Sequence, residues 1–390
     1  MRKATTRFLA FVLASSVMLS CHSHYRSTAY SYMIPKQLPD GLPVDAMYNV
    51  GIDTDKIVKL TKLILADTFP NIHSMLLLRH GKLVYENYFA GEDGRAGYVN
   101  HTIDDLHDCR SVTKSFTSAC IGIAVKQGYI KSIDEPIFPY FKDYAKYFDA
   151  AKRKITIRHL LTMTSGFEWD EKITYLDPKN SEIQMDKSED PVAFILSRKL
   201  TSAPGTTWNY CAGSAQLLEE ILWKATGERL NKYAEKNLFA PLGIKQYTWD
   251  SMIDKKMIAG AWGLRLKPRD MAKFGLLYMN YGKWGNKQIL DTAWVKHSLN
   301  SEVSKPIIRS NTPRGYGFQF WVGLMVQHQY KTPISYANGN GGQMIYFWRD
   351  MDIVLVFTGG NYDRRDIKNN TDSAFGYIVP SVKEMKPYIK

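Results

Sequence analysis

Cysteine is scarce, four in 390 residues, so a disulfide-stapled scaffold is excluded and the core must be built from packing. Long apolar runs are missing as well. The best candidate, Phe8 to Leu19, has twelve residues, short of the roughly 20 that span a bilayer. Basic residues outnumber acidic ones, 51 to 38, yet no run of five or more basic residues occurs. That scatter fits a solvated surface and no nucleic-acid partner. His-Glu-x-x-His is absent, and the close pair among the nine histidines is His22 and His24, near the N-terminus. Spacing therefore gives no expectation of a metal site, and none of a cofactor. No serine lies within Gly-x-Ser-x-Gly, which excludes a strand-to-helix nucleophile elbow. Internal repeats and low-complexity stretches are also absent.

What is present begins with a targeting pattern. Arg2, Lys3 and Arg7 precede the Phe8–Leu19 run, and Leu19-Ser20-Cys21 follows. This resembles the bacterial lipobox, in which the cysteine becomes the lipidated first residue. Residues 1–20 are then a lipoprotein signal peptide, Cys21 is the lipidation site, and His22 after it favours the outer membrane, facing the periplasm of a bacterial cell envelope. Three of the positive charges leave with the leader, so the rest carries +10 of the total +13. Residues 21–52, with Pro35, Pro39 and Pro43, read as a tether, and 53–390 as one domain. Cys109, Cys120 and Cys211 remain; an odd number leaves at least one free thiol, and spacing does not decide whether two pair.

Apolar periodicity predicts a helix over Thr54–Asp67 with Thr54 as N-cap, then a β-hairpin of Met75–Leu78 and Leu83–Phe89 turning at His80-Gly81. From about 130 to 300 the patterns are mainly helical: Ile157–Thr164, Val192–Lys199, Ser214–Gly227 and Arg269–Tyr281. Strand patterns return at Tyr316–Val322, Gln343–Trp348 and Ile353–Thr358, and a last helix covers Ser373–Val379. One sheet built from both chain ends, with a helical middle, is the economical α+β arrangement.

Ser111-Val-Thr-Lys114 opens a helix that is apolar or small to Gln127 and stops at Gly128. A serine at that end sits near the positive pole of the helix dipole, and a lysine three residues on lies one turn away on the same face. The amine reaches the hydroxyl, and burial against apolar walls is expected to lower its pKa, giving a serine nucleophile without histidine. Ser-x-x-Lys occurs once here, although a chain of this composition yields roughly two by chance. Tyr210 follows the turn-forming Pro204-Gly205 and precedes a helix; a phenol beside an ammonium is stabilised as phenolate and serves as acid or base. Gly339-Asn-Gly-Gly-Gln343 runs into a strand, and its small residues let a substrate approach while the Gln343 N–H, with that of Ser111, donates to an oxyanion. Glu168 and Asp170 read as solvated loop carboxylates, and His159 as structural at a helix start.

In this order the three elements resemble the serine β-lactamase and penicillin-binding-protein superfamily. Ile155-Thr-Ile-Arg-His-Leu-Leu-Thr-Met-Thr-Ser-Gly166 is similar to a helix-and-loop signature of that superfamily. Gly260-Ala-Trp-Gly-Leu-Arg-Leu-Lys-Pro-Arg-Asp-Met-Ala-Lys-Phe-Gly275 is similar to the branch with 6-aminohexanoate-dimer hydrolase and related esterases. The resemblance spans roughly residues 70–360. It implies the β-lactamase/transpeptidase-like fold with a helical subdomain inserted over about 130–300, and a serine hydrolase acting on an ester or amide, small-molecule or short-peptide. Ser111, Lys114 and Tyr210 take the catalytic positions, Asn340, Gly341 and Gly342 the substrate-binding ones. Two departures stand out. Ala212 replaces the usual Asn of the second motif, and Asn340-Gly341-Gly342 stands where Lys-Thr-Gly is usual, removing a cation that Arg265 or Lys267 would have to restore. Both argue against the alternatives of a D-Ala-D-Ala peptidase or β-lactamase; a non-catalytic binding lipoprotein of the same fold is the third alternative.

Overall fold

The computed structural model describes residues 28–253, 255–303, 314–327, 330–364 and 370–383. The expected leader and Cys21 lie outside the described residues. Seven strands form one antiparallel sheet: β1 (Ile72–Arg79), β2 (Lys82–Tyr88), β3 (Gly315–Tyr316), β4 (Trp321–Gln327), β5 (Tyr330–Gly339), β6 (Gln343–Trp348) and β7 (Ile353–Gly359). Their order is β3-β4-β5-β6-β7-β1-β2, so β1 from one end of the chain pairs with β7 from the other. The β1–β2 turn falls at His80-Gly81, both at positive φ (51° and 72°), as a two-residue hairpin requires.

Both faces of the sheet are covered, and the alternation along β6 shows how. Tyr346 and Trp348 meet Phe375 of α6 (Asn370–Ser381) edge-on. Phe347, one residue out of phase, faces Tyr278 and Phe320 on the other side, as the period of two dictates. Tyr278 belongs to α5 (Pro268–Met279). A Cβ on Gly275 of that helix would lie 2.5 Å from Val354 Cγ1, so only glycine lets α5 lie this close to β7. The helix α1 (Thr54–Leu65) starts one residue later than its cap: Asp53, not Thr54, accepts from the Asp55 N–H. It packs on α6.

The middle of the chain is helical. There α2 (Thr113–Lys126) lies between α5, where Phe116 stacks on Phe274 at 3.8 Å, and α4 (Ala212–Thr226). Every residue from Thr113 to Ala124 is buried, which is why this helix carries small or apolar residues on all sides and no exposed charged face before Lys126. Ahead of it, Arg110–Val112 form a 3-10 turn, so Ser111 precedes the α-helix instead of opening it. Among the elements not anticipated are the strand β5 and the short α3 (Ser181–Asp186). The tether is integrated with the body: Leu42 is fully buried, Val44 bridges Leu83, and the Tyr32 hydroxyl donates to Val84 O. Cys109, Cys120 and Cys211 are buried, unpaired thiols. No helix among the described residues is long and apolar enough to cross a membrane.

Candidate active site

The backbone at Arg110 has φ 46°, a left-handed conformation that costs a non-glycine residue on the order of 1 kcal/mol or more. This kink turns the chain from the short strand His107–Asp108 into α2 and leaves Ser111 partly exposed above a buried Lys114. Lys114 Nζ donates to Ser111 Oγ at 3.0 Å and to the Ala261 carbonyl at 3.0 Å. The segment that presents Ala261 is tied to α2 on both sides, since Thr117 Oγ1 donates to Gly260 O and Leu264 N donates to Thr113 Oγ1. A Cβ on Gly260 would stand 2.7 Å from Ala215 O, so this glycine admits the loop against α4.

Tyr210 arrives from the other direction, one residue before the N-cap of α4. Its ring lies 5.1 Å from Lys114 Nζ and stacks on Trp321 at 5.8 Å, and its hydroxyl bonds Ser111. Ser111, Lys114 and Tyr210, spread over 100 residues of sequence, therefore converge. His159 is a capping residue: Thr156 accepts from the His159 N–H while His159 Nδ1 accepts from Thr156 N, which accounts for the Thr-Ile-Arg-His of the first signature.

The electrostatics depart from expectation. Lys114 is buried, which by itself disfavours its charge, but Tyr210, Glu182 and Glu171 around it reverse the outcome and raise its pKa. The walls are acidic where apolar ones were expected, so Lys114 rests as an ammonium. Burial likewise raises Tyr210; Lys114 pulls it back only partly, and Glu171 opposes that pull. Glu171 and Glu182 were missed by sequence reasoning. Glu171 Oε1 accepts from Ala212 N at 2.6 Å and from the Trp169 indole, and Oε2 accepts from Tyr175 Oη. Burial first, then Glu182, push its carboxyl up to about 8. Glu182, on α3, is also raised by burial, and Asp186 one turn on is raised to about 7 for the same reason. Glu168 and Asp170, by contrast, face solvent, Glu168 beside Lys199.

A Cβ on Gly339 would lie 2.4 Å from Cys109 O and 3.1 Å from Arg110 Cβ, so Gly339 is the residue brought against the Ser111 segment. Its cross-strand partner Gln343 turns its side-chain amide onto the Gly359 backbone. Asn340, Gly341 and Gly342 are engaged by the following loop. Asn340 Oδ1 accepts from Asp363 N, and Gly341 O accepts from Asn361 N. Asn340, Gly341 and Gly342 thus form a turn held by residues 361–363, in which the Asn340 side-chain oxygen is hydrogen-bonded. A pocket of about 230 Å³ opens beside them, between Asp108, Arg110, Arg265 and Tyr362. Its guanidinium groups are paired, Arg110 with Asp108 at 3.3 Å and Arg265 with Asp250 at 3.0 Å. Lys267 is held by Asp104 at 2.7 Å. Neither Arg265 nor Lys267 restores an uncompensated cation.

A family model described as Beta-lactamase matches residues 73–372. Among curated proteins, esterase EstB of Burkholderia gladioli is 24% identical over 180 residues, 44% of this chain and 45% of EstB. The beta-lactamase of Escherichia coli K12 is 26% identical over 207 residues, 53% of this chain and 50% of that enzyme. The chain thus spans about half the length of these two relatives. A solved structure from Bacillus anthracis, named for 6-aminohexanoate-dimer hydrolase, superposes with a TM-score of 0.66 at 20% identity, covering 82% of this chain and 80% of that one. The chain belongs to the beta-lactamase family and has its fold.

Proposed function

We propose that this member of the beta-lactamase family is a serine hydrolase that cleaves a small ester or amide through an acyl-enzyme on Ser111. The observation that carries the reading is the 3.0 Å contact of Lys114 Nζ with the partly exposed Ser111 Oγ. The reacting form has the Lys114–Tyr210 pair one proton short, as ammonium and phenolate. Tyr210 takes the Ser111 proton while Oγ bonds the substrate carbonyl carbon, and Lys114 holds the developing charge on Oγ. The Ser111 N–H, with a backbone N–H from the corner formed by Gly339 and Gln343, receives the oxyanion. Tyr210 then returns the proton to the leaving group as its bond to the carbonyl carbon breaks. Water repeats the sequence in reverse, giving its proton to Tyr210 and freeing Ser111. The same proposal includes the lipid anchor at Cys21 and a periplasm-facing outer-membrane location, supported by the basic and apolar leader and Leu19-Ser20-Cys21.

The test is covalent labelling of the full chain with a fluorophosphonate, mapped by peptide mass spectrometry. Label on Ser111, lost in Lys114→Ala, together with ester turnover lost in Ser111→Ala, is the expected result. Undiminished turnover by purified Ser111→Ala would overturn the mechanism, and no label on folded wild type would favour a non-catalytic binding role.

A further inference from the structure

Away from Ser111, His73 meets the pair His101 and His107 in the interior. His73 lies on β1, His101 follows the short strand Gly97–Asn100, and His107 begins the strand that leads into Ser111. All are at least nine-tenths buried, at 0%, 9% and 4% exposure. Their ring centroids stand 3.9 Å (His73–His101), 4.9 Å (His101–His107) and 5.7 Å (His73–His107) apart. Each offers one ring nitrogen such that all three lie within 4.8 Å of one another.

The local chain is shaped for this meeting. The β1–β7 register slips between Ile72 and Ser74, so His73 is the extra residue of a bulge, a device that re-aims a side chain. Glycines make room for its ring: a Cβ on Gly91 would lie 2.7 Å from His73 Cδ2, and one on Gly360 2.8 Å from His73 Cε1.

Hydrogen bonding then sorts the nitrogens into two sets. His73 Nε2 faces Asn71 Oδ1 at 3.2 Å and Glu92 O at 3.1 Å, and His101 Nδ1 faces Asp105 Oδ2 at 3.7 Å. On His73 the two oxygen partners of Nε2 fix the tautomer and leave the lone pair on Nδ1, while the Asp105 carboxylate near His101 Nδ1 favours a proton there by charge. Those other nitrogens, His73 Nδ1 and His101 Nε2, have no hydrogen-bond partner, and neither does His107 Nε2. Three buried ring nitrogens without a partner in one place are uncommon in a folded protein, where such groups are mostly satisfied.

We propose that His73, His101 and His107 hold a divalent transition-metal ion, zinc by donor chemistry, at a site separate from Ser111. Three neutral imidazoles suit zinc and its neighbours, with water in the fourth position. Zinc–nitrogen bonds of about 2.0–2.1 Å bring tetrahedral ligand atoms to about 3.4 Å from one another, so small ring rotations from the 4.8 Å spread close the site. Asp105 beside His101, and Asp93, which acts electrostatically on all three rings, offset the ion's charge. The ion ties the hairpin of residues 90–100 and the segment 101–108 to the central sheet. Through His107 it fixes the strand that delivers Cys109, Arg110 and Ser111. Sequence spacing concealed the site, because its ligands come from a bulge, a loop and a two-residue strand.

The test uses the full chain, extracted in detergent and purified on a tag free of histidine, stripped over a chelating resin and titrated with Zn2+ and separately with Co2+. The expected result is about one ion per chain, intense visible absorption of four-coordinate cobalt, and a zinc-dependent rise in unfolding temperature. His101→Gln and His107→Gln should lose all three. Absence of zinc binding by wild type, or binding and stabilisation that persist in His101→Gln, overturns the proposal. If the variants do not fold, the wild-type cobalt spectrum decides: weak six-coordinate bands overturn the site, intense four-coordinate bands support it.

Discussion

Replacing Glu171 by Gln removes one charge from the wall of the site and little else. Gln keeps an oxygen for the Ala212 N–H and the Trp169 indole, and its amide nitrogen can still bond the Tyr175 hydroxyl, which sits 3.3 Å from Oε2. In the folded chain the carboxyl titrates at about 8 against an ordinary 4.5, through burial and then Glu182. A carboxyl raised on folding adds stability that is complete below its unfolded pKa and is lost as pH climbs through the folded one. Here the window runs from 4.5 to about 8. At about 1.4 kcal/mol per pH unit, the penalty at pH 9 has a ceiling of about 5 kcal/mol. Because part of that shift comes from the neighbouring Glu182 carboxylate and is shared with it, Glu171→Gln should recover about 2–3 kcal/mol. For a chain of this size that is roughly 3 °C in unfolding temperature.

The assay is thermal unfolding of wild type and Glu171→Gln by circular dichroism at acidic, neutral and alkaline pH. The two should nearly coincide at about pH 5 and separate, with the variant higher, by about pH 9. A difference independent of pH, or one that favours wild type as pH rises, would refute the buried-carboxylate argument. Activity supplies a second reading. Glu171 raises both Lys114 and Tyr210, so in the variant the acid limb of kcat/KM should move to lower pH.

Three further outcomes follow from the same geometry. In wild type both members of the Lys114–Tyr210 pair are raised, so kcat/KM for a neutral ester should climb with pH into the alkaline range; a plateau already reached at about pH 6 would contradict a base of this kind. Gly339→Ala places a methyl 2.4 Å from Cys109 O, which must push the Ser111 segment or β5 aside; since a displacement of about 1 Å costs up to 100-fold, kcat should fall by about 10-fold or more, measured on an activated ester with folding checked by circular dichroism. β-Lactams of the nitrocefin type should be hydrolysed poorly, because Asn340 is held by Asp363 and the nearby guanidiniums are paired; turnover at the rate of a resistance enzyme would overturn that reading.

The layered fold was legible because its signals are periodic. The His80-Gly81 turn between apolar runs announces β1 and β2, and Gln343–Trp348 and Ile353–Thr358 are observed almost at their expected bounds. β5 was not legible: Pro333 interrupts it and Asn338-Gly339 end it, features that argue against a central strand. Pro333 nevertheless sits in the ladder opposite Leu324. The Ser111–Lys114 contact was legible because one helical turn brings i and i+3 together. Tyr210 depended on order along the chain as well as on local pattern, and its stacking on Trp321 belongs to tertiary structure alone.

What sequence could not supply is the chemistry of the surroundings. Lys114 looked like a buried amine with a lowered pKa because its own helix is largely small and apolar, yet its charge is held by Tyr210, by Glu182 on a six-residue helix and by Glu171 in a loop. Neither glutamate lies in a periodic segment, and a loop carboxylate reads as solvated until something covers it. Trp169 and Tyr175 on either side of Glu171 were the available signal, since aromatic neighbours in a loop suggest that the loop is packed. The histidine cluster was hidden for the same physical reason. A pattern search finds groups that one helix or one strand brings together, whereas these groups are assembled by a bulge, a close glycine and a strand of two residues. Both assemblies converge on residues 107–114, with histidines on the entering strand and carboxylates around Lys114. Perturbing either should therefore register at Ser111, but through different observables: metal binding and thermal stability for the first, the pH dependence of catalysis for the second.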